Sequence, residues 1–423
     1  MAIYLTNGTY IDPVTLEFRK TTLIVYPGFK GKIEFNDFIA QGLYDEVIDC
    51  KGKLITRSFA CGHHHAYSAL ARGMDAPEKA PVNFNEILKY IWWRLDRCLN
   101  KDAIEASALI TAMACAKNGV TFIVDHHASP FAVKGSLEII AKAFEKVGVS
   151  HLLCYEISDR DGKEIAAAGL AETSDYLKNH QGLVGLHASF TVSDNTIRKA
   201  VSLARETNSG IHIHVAEDKS DQENCVKYYH KRVIQRLNDE GILDLPKTIL
   251  GHCLHLNDHE KELISRSPAW VVQNTESNLN NKVGFFDSRG LGDHIMLGTD
   301  GMHSDMLWSS RAAFLTGQTF DSIDYQGIYR RFRNVHDYLR FNAFEGDGEN
   351  NLVVLDYDSP TEINSTNFYS HFLFGFESRD VQHVVSNGKI IVKDRQLANV
   401  NENEILEFAR KESKKLWERM KKI

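Results

Sequence analysis

The chain has 423 residues, 43% of them hydrophobic and 25% charged, with a formal net charge of −7. This is the composition of a folded globular protein and excludes disordered and collagen-like chains. A mildly acidic balance argues against unassisted binding to nucleic acid or to an anionic membrane, so neither is expected as a partner.

The opening, MAIYLTNGTYIDPVT, has no basic segment followed by an apolar one, and no run of 18 apolar residues occurs anywhere. The seven cysteines (Cys50, Cys61, Cys98, Cys115, Cys154, Cys225 and Cys253) form no Cys-x-x-Cys pair. That pattern fits a reducing compartment, and a cytoplasmic location is the expectation.

The first fifty residues carry short β-like runs, with Asn7-Gly8 read as a tight hairpin turn. Eight short apolar runs follow, at 54–59, 120–124, 150–155, 183–186, 211–215, 248–250, 269–272 and 295–297. Segments of helical period separate most of them. Residues 102–117 form one, closed by Asn118-Gly119. Ser193 is placed as an N-cap ahead of Ile197, Ala200, Val201 and Ala204, and Asn257 with Glu260 makes a capping box. Beyond the barrel-like middle, 352–355 and 383–385 read as strands, Asn387-Gly388 as a hairpin turn, and 402–421 as a helix.

Eight strands alternating with helices predict parallel βα units, and eight is the number that closes a barrel. The expected fold class is therefore α/β, a (β/α)8 TIM barrel with a small β-sandwich domain built from both chain ends. Its expected parts are 1–53 with 350–400 as the composite sandwich, 54–349 as the barrel, and 401–423 as a C-terminal helix.

Of the 19 histidines, many fall where a barrel places its chemistry, at the C-terminal ends of the strands. The first run leads to His63-His64-His65, the second to Asp125-His126-His127, and the fourth to His187. The fifth carries His214 with Glu217 three residues on; the sixth, seventh and eighth lead to His252, Asn274 and Asp300. Each alone has an ordinary explanation: a satisfied core histidine, a helix-capping Asp, or a Glu favoured by a helix dipole. Their shared position at one rim is what points to a site. In an extended segment residues i and i+2 share a face, so His63 and His65 can converge on one cation. Neutral imidazole suits Zn2+ or Fe2+. In the second His-x-His, His214 lies nearer the rim and takes the metal, while His212 is expected in the barrel interior.

These residues resemble the amidohydrolase superfamily, in the branch of triazine hydrolases, guanine deaminase and cytosine-type deaminases. The blocks GHHHAYSALARGM, GLHASFTVSD, HIHVAED, GHCLHL and LGTDGM match in order. The stretches EILKYIWWRLDRCLN, NTESNLNNKVG and VSNGKIIVKD look closest to the SsnA-type aminohydrolases. The resemblance implies that His63, His65, His214 and Asp300 hold one divalent metal ion, zinc in the first instance and Fe2+ as the alternative. It implies Glu217 as proton shuttle and His252, with Asp300, as the groups that orient and deprotonate water. His187, Arg72 and Asn274 would line the substrate pocket, with Phe190 and Trp92 as aromatic walls. Two departures stand out: Arg57-Ser58-Phe59-Ala60 replaces the usual Pro-Gly before the His pair, and the fourth run has no lysine to bridge a second metal.

The expected reaction is deamination of an aminated nitrogen heterocycle (purine, pterin or pyrimidine-like) in purine catabolism, by a homodimer. Removal of chloride from a related ring, ring-opening hydrolysis and a non-catalytic metal-binding scaffold are the alternatives.

Overall fold

The computed structural model describes residues 2–36 and 46–423. Eight parallel strands form its centre in unbroken neighbour order: Phe59–His64, Val120–His127, Ser150–Ile157, Val184–Ala188, Ile211–Val215, Ile249–His252, Trp270–Gln273 and Ile295–Leu297. They are buried on both faces along nearly their whole length, which is why they read as short continuous apolar runs. The seam between the eighth and first strands closes at the upper rim, where the His63 carbonyl accepts from the backbone N–H groups of Thr299 and Asp300 at 3.0 and 3.1 Å. The lower end is plugged by Phe122, Leu152, Trp270, Tyr338 and their neighbours.

The helices between strands follow their sequence signals. Asn100 caps Lys101–Lys117 by accepting from the Ala103 N–H, and Ser193 caps Asp194–Glu206. Asn257 and Glu260 form the capping box of Asp258–Ser265. No helix among the described residues is long and apolar enough to cross a membrane.

The chain ends build one nine-stranded sheet outside the barrel. Its N-terminal strands (Ile3–Ile11, Phe18–Val25, Ile33–Asn36, Glu46–Asp49, Leu54–Arg57) join Leu352–Leu355, Val381–Ser386, Lys389–Lys393 and Gln396–Leu397. Leu5, Leu23, Val25, Ile55, Val354 and Val385 pack into its own core. The hairpin at Asn387-Gly388 forms as expected between Val381–Ser386 and Lys389–Lys393. The terminal helix Glu402–Met420 lies against the barrel, where Lys117 pairs with Glu402 at 2.7 Å and Trp417 donates to the Leu70 carbonyl at 2.9 Å.

Two local readings need correction. Residues 54–59 are not one barrel strand. Leu54–Arg57 pairs antiparallel with Leu352–Leu355 in the outer sheet, and a separate strand begins at Phe59 beside Val120. Apolar continuity hides such a break; Arg57, held by Asp347 at 2.8 Å, marks it. Asn7-Gly8 is not a hairpin turn either. It is a bulge inside Ile3–Ile11, with Asn7 at φ +60°, and the chain reverses later, where Asp12 Oδ1 accepts from the Val14 and Thr15 N–H groups. A turn and a bulge both use the left-handed conformation Asn tolerates, so the dipeptide alone does not separate them.

Candidate active site

Five side chains meet inside the upper rim. His65 Nε2 lies 3.1 Å from His214 Nε2 and 3.1 Å from Asp300 Oδ1. His63 Nε2 is 3.4 Å from the same oxygen, and His252 Nε2 is 3.7 Å from Asp300 Oδ2. One ligand atom each from His63, His214, His252 and Asp300 falls within 4.8 Å of the others. Ligands about 2.0–2.1 Å from a common ion at a tetrahedral angle stand about 3.4 Å apart, so these separations suit a single cation.

The opposite ring nitrogens are all engaged. The Nδ1–H groups of His65 and His214 donate to the carbonyls of His126 and His187, each at 2.7 Å, and that of His252 donates to Asn278 Oδ1 at 2.7 Å. His63 Nδ1 is 2.9 Å from Nε2 of His212, which lies in the barrel interior as expected. With Nδ1 so fixed, the Nε2 lone pairs of His65, His214 and His252 face the centre. His63 Nε2 and His252 Nε2 are buried without a hydrogen-bond partner, which a metal would supply. Burial keeps His63 unprotonated, down to about 3, and lowers His214 likewise. Burial would lower His65 too, but the contact with Asp300 lifts it to about 9: the cluster draws positive charge.

The backbone presenting these groups is tense. Ala216, His252, Cys253 and Asp300 all have φ between +46° and +67°. Non-glycine residues hold that conformation only where surrounding structure imposes it, and such positions gather at functional sites. Gly298 allows the close packing beneath: a Cβ there would stand 2.4 Å from Asn274 Oδ1 and 3.0 Å from His63 Cβ.

Beside the cluster lies a cavity lined by His65, His187, His214, Glu217, His252 and Asp300 on its floor. Phe84, Leu88, Trp92 and Trp93 wall it, and Tyr67, Glu156, Arg160 and Asn281 also reach it. Trp92 and Trp93 come from a widened π-type turn, Leu88–Trp92, running into Trp93–Arg97. Glu217 Oε2 is 3.6 Å from His252 Nε2, and its Oε1 accepts from Asn281 Nδ2 at 3.5 Å. Burial lifts Glu217 to about 7 against the pull of His252, which poises it to exchange a proton at neutral pH.

The structure thus brings His63, His65, His214, Asp300, His252 and Glu217 together, with His187 and Trp92 on the cavity wall. Three other expected pocket residues lie elsewhere. Arg72 is exposed, because Ala66–Ala71 coils with Tyr67 and Leu70 turned inward and the chain emerges at the surface directly after. Asn274 is fully buried behind Gly298. Phe190 backs His187, ring centroids 5.7 Å apart, in a small adjoining cavity. Arg160 and Glu156 line the pocket instead, and neither is among the residues the sequence points to. The third strand extends to Ile157, two residues past the apolar run, and Glu156 is in that extension.

A buried His/Asp cluster with a carboxylate beside it, at the mouth of a (β/α)8 barrel, defines a metal-dependent hydrolase. Residues 54–329 match the Amidohydrolase family, and the chain belongs to that family. It is 26% identical over 409 residues to a 5-methylthioadenosine/S-adenosylhomocysteine deaminase of Thermoanaerobacter pseudethanolicus, covering 89% of this chain and 90% of the relative. It is 27% identical over 369 residues to a 5'-deoxyadenosine deaminase of Methanopyrus kandleri, covering 82% of each. Among solved structures, the fold is similar to a zinc-bound adenosine deaminase from Xanthomonas campestris, with TM-score 0.82, 16% identity and coverage of 100% and 99%. It is also similar to a variant of the atrazine chlorohydrolase TrzN from Arthrobacter aurescens with zinc and atraton, with TM-score 0.82, 12% identity and coverage of 97% and 100%.

Proposed function

We propose that this protein is an aminohydrolase that deaminates an aminated nitrogen heterocycle, releasing ammonia. The observation that carries the reading is Glu217, its side chain 13% exposed, standing 3.6 Å from His252 and lining an aromatic-walled cavity. A structural metal site needs no such carboxylate. The names of the relatives, deaminases acting on adenosine derivatives, support the same chemistry.

His63, His65, His214 and Asp300 would hold one divalent cation, zinc by the donor set of three imidazoles and a carboxylate. A cation held there would supply the Lewis acidity that makes water a competent nucleophile at neutral pH. His252 and the free oxygen of Asp300, 3.7 Å apart, orient the attacking water and take its proton. Glu217 gives a proton to the ring nitrogen next to the reacting carbon, then takes the proton of the added hydroxyl and passes it to the departing amine. The new C–O bond replaces the C–N bond and ammonia leaves. Trp92, Trp93 and Phe84 hold a planar ring and exclude bulk water, and His187 lies against it from the fourth strand. The seven free, buried cysteines support a reducing, cytoplasmic setting, and purine breakdown is the process that would use the reaction.

The test is ammonia release by zinc-loaded protein over a panel of aminated purines, pterins and pyrimidines, repeated with Glu217→Gln. The variant should bind the same metal and lose about 10²- to 10⁴-fold in kcat. Full turnover by Glu217→Gln on a confirmed substrate would remove Glu217 from the mechanism.

A further inference from the structure

Two polar groups of the cavity have no part in the chemistry above. Glu156 is the penultimate residue of the third barrel strand, 6% exposed, with Oε2 3.3 Å from His126 Nδ1. One of its oxygens falls within 4.8 Å of ring nitrogens of both His187 and His214, so it borders the metal cluster itself. It offers a substrate an acceptor.

Arg160, its side chain 8% exposed, lies 5.2 Å above the Trp93 ring. Its Nη2 donates to Asp96 and its Nε to Asp161 at 2.9 Å, which fixes the guanidinium plane. Its Nη1 is buried with no hydrogen-bond partner, in a residue that lines the cavity. Asp96, Asp161 and Glu156 already surround Arg160 and Arg97, the latter 2.7 Å from Asp161. A carboxylate or phosphate would therefore meet arginines whose charge is already offset. A neutral carbonyl would satisfy Nη1 without that cost.

Glu156 and Arg160 line the same cavity and feel each other's charge, and an N–H for the one with a C=O for the other describes a lactam edge. Because Glu156 borders the metal cluster, the N–H it meets must be close to the reacting carbon. In a 2-amino-4-oxopyrimidine ring the amino carbon is flanked on one side by a bare nitrogen, which Glu217 can protonate, and on the other by N–H leading to C=O. A 6-aminopurine has no N–H or carbonyl there, and cytosine presents a C–H. A ribose hydroxyl could also meet both groups, but a sugar projects from the far side of the ring, away from the reacting carbon.

We propose that Glu156 and Arg160 read the lactam edge of a 2-amino-4-oxopyrimidine ring, free or fused as in guanine or a pterin, and thereby set the specificity of this enzyme. The proposal rests on the deaminase reading and narrows it. Water adds at the amino carbon, ammonia leaves, the product carries a second carbonyl, and no oxidant or reductant takes part.

The experiment compares kcat/KM of unmodified, zinc-loaded protein for guanine, pterin and isocytosine with that for adenine, adenosine, 5'-methylthioadenosine and cytosine. The first three should exceed the rest by at least about 100-fold, the order expected when buried groups built to pair are left unpaired. Equal or better turnover of the 6-aminopurines would overturn the lactam reading while leaving deamination intact. Ammonia from none of the seven would overturn both. Glu156→Ala, checked for metal content and melting temperature, should lose about 10- to 100-fold on the lactam substrates. Undiminished activity of that variant on those substrates would also overturn the proposal. Should Glu156→Ala fail to fold, the comparison on the unmodified protein decides alone.

Discussion

His65 and His214, 149 residues apart in sequence, point their Nε2 atoms at each other across 3.1 Å. Each has its Nδ1 bonded to a backbone carbonyl, so a positive charge must lie between the two Nε2 atoms: the proton that the contact with Asp300 keeps on His65 in the metal-free chain, or a cation that replaces it. Metal binding should therefore carry part of the folding stability. Chelator treatment is expected to lower the melting temperature by several degrees, and added zinc to restore it in proportion to ln[Zn2+]. Free metal a thousandfold above Kd would contribute about 4 kcal/mol. His214→Ala should abolish the zinc response; calorimetry with and without metal reads both.

Gly298 separates His63 from Asn274 at a distance that leaves no room for a methyl group. Gly298→Ala is expected to push Asn274 or the His63 strand aside, costing about 1–3 kcal/mol by overpacking and weakening zinc binding. Gly301 is the control: a Cβ there would meet nothing closer than Ser68 Oγ at 3.3 Å, so Gly301→Ala should change zinc affinity far less. Denaturant midpoints and competitive zinc titration of the two variants make the comparison.

Arg72 lies in the block that resembles the family, yet it is exposed and outside the cavity. Arg72→Ala should leave kcat/KM within about twofold of the parent, the ordinary range for a surface substitution. A tenfold fall in a steady-state assay would show that the loop folds inward during turnover.

Acid should destabilise the metal-free chain well before its carboxylates titrate. His127 is buried between the rings of Tyr67 and Tyr155, and burial pushes it down to about 3. Its folded value lies below the unfolded one of about 6.5, so the unfolded chain binds the proton first. The stability is present above pH 6.5 and is lost as pH falls toward 3, by about 1.4 kcal/mol per unit for this group. His127→Gln can still bond Ser129 and does not titrate. Between pH 7 and pH 5 the variant should lose about 2 kcal/mol less than the parent in urea unfolding, and identical pH slopes would contradict the assignment.

The barrel and its His/Asp cluster are legible because they are periodic: strands of similar length recur, and most of them lead to a histidine or a carboxylate. The failures came at the ends of elements. The third apolar run ends at Tyr155, although the strand continues through Glu156 to Ile157. A buried carboxylate looks like a loop residue in sequence, and only the neighbouring strands reveal that it remains inside. Arg160 was invisible for a related reason. An arginine beside two aspartates reads as a solvated loop until Trp93, from a distant segment, covers it. Arg72 failed in the opposite direction, because sequence proximity to His63 and His65 says nothing about which way the intervening turn faces.

The outer sheet strand Leu54–Arg57 and the ligand-bearing strand Phe59–His64 are joined by Ser58 alone. Ser58 Oγ lies 2.6 Å from Thr121 Oγ1, and its carbonyl accepts from Arg333 at 2.9 Å. His63, a proposed metal ligand, is thus six positions from Arg57, the last residue of a ladder held by Leu352–Leu355. Neither end can be trimmed as a dispensable appendage: deleting the tail that supplies Leu352–Leu355 and its partners would loosen the footing of the very strand that aims His63 and His65.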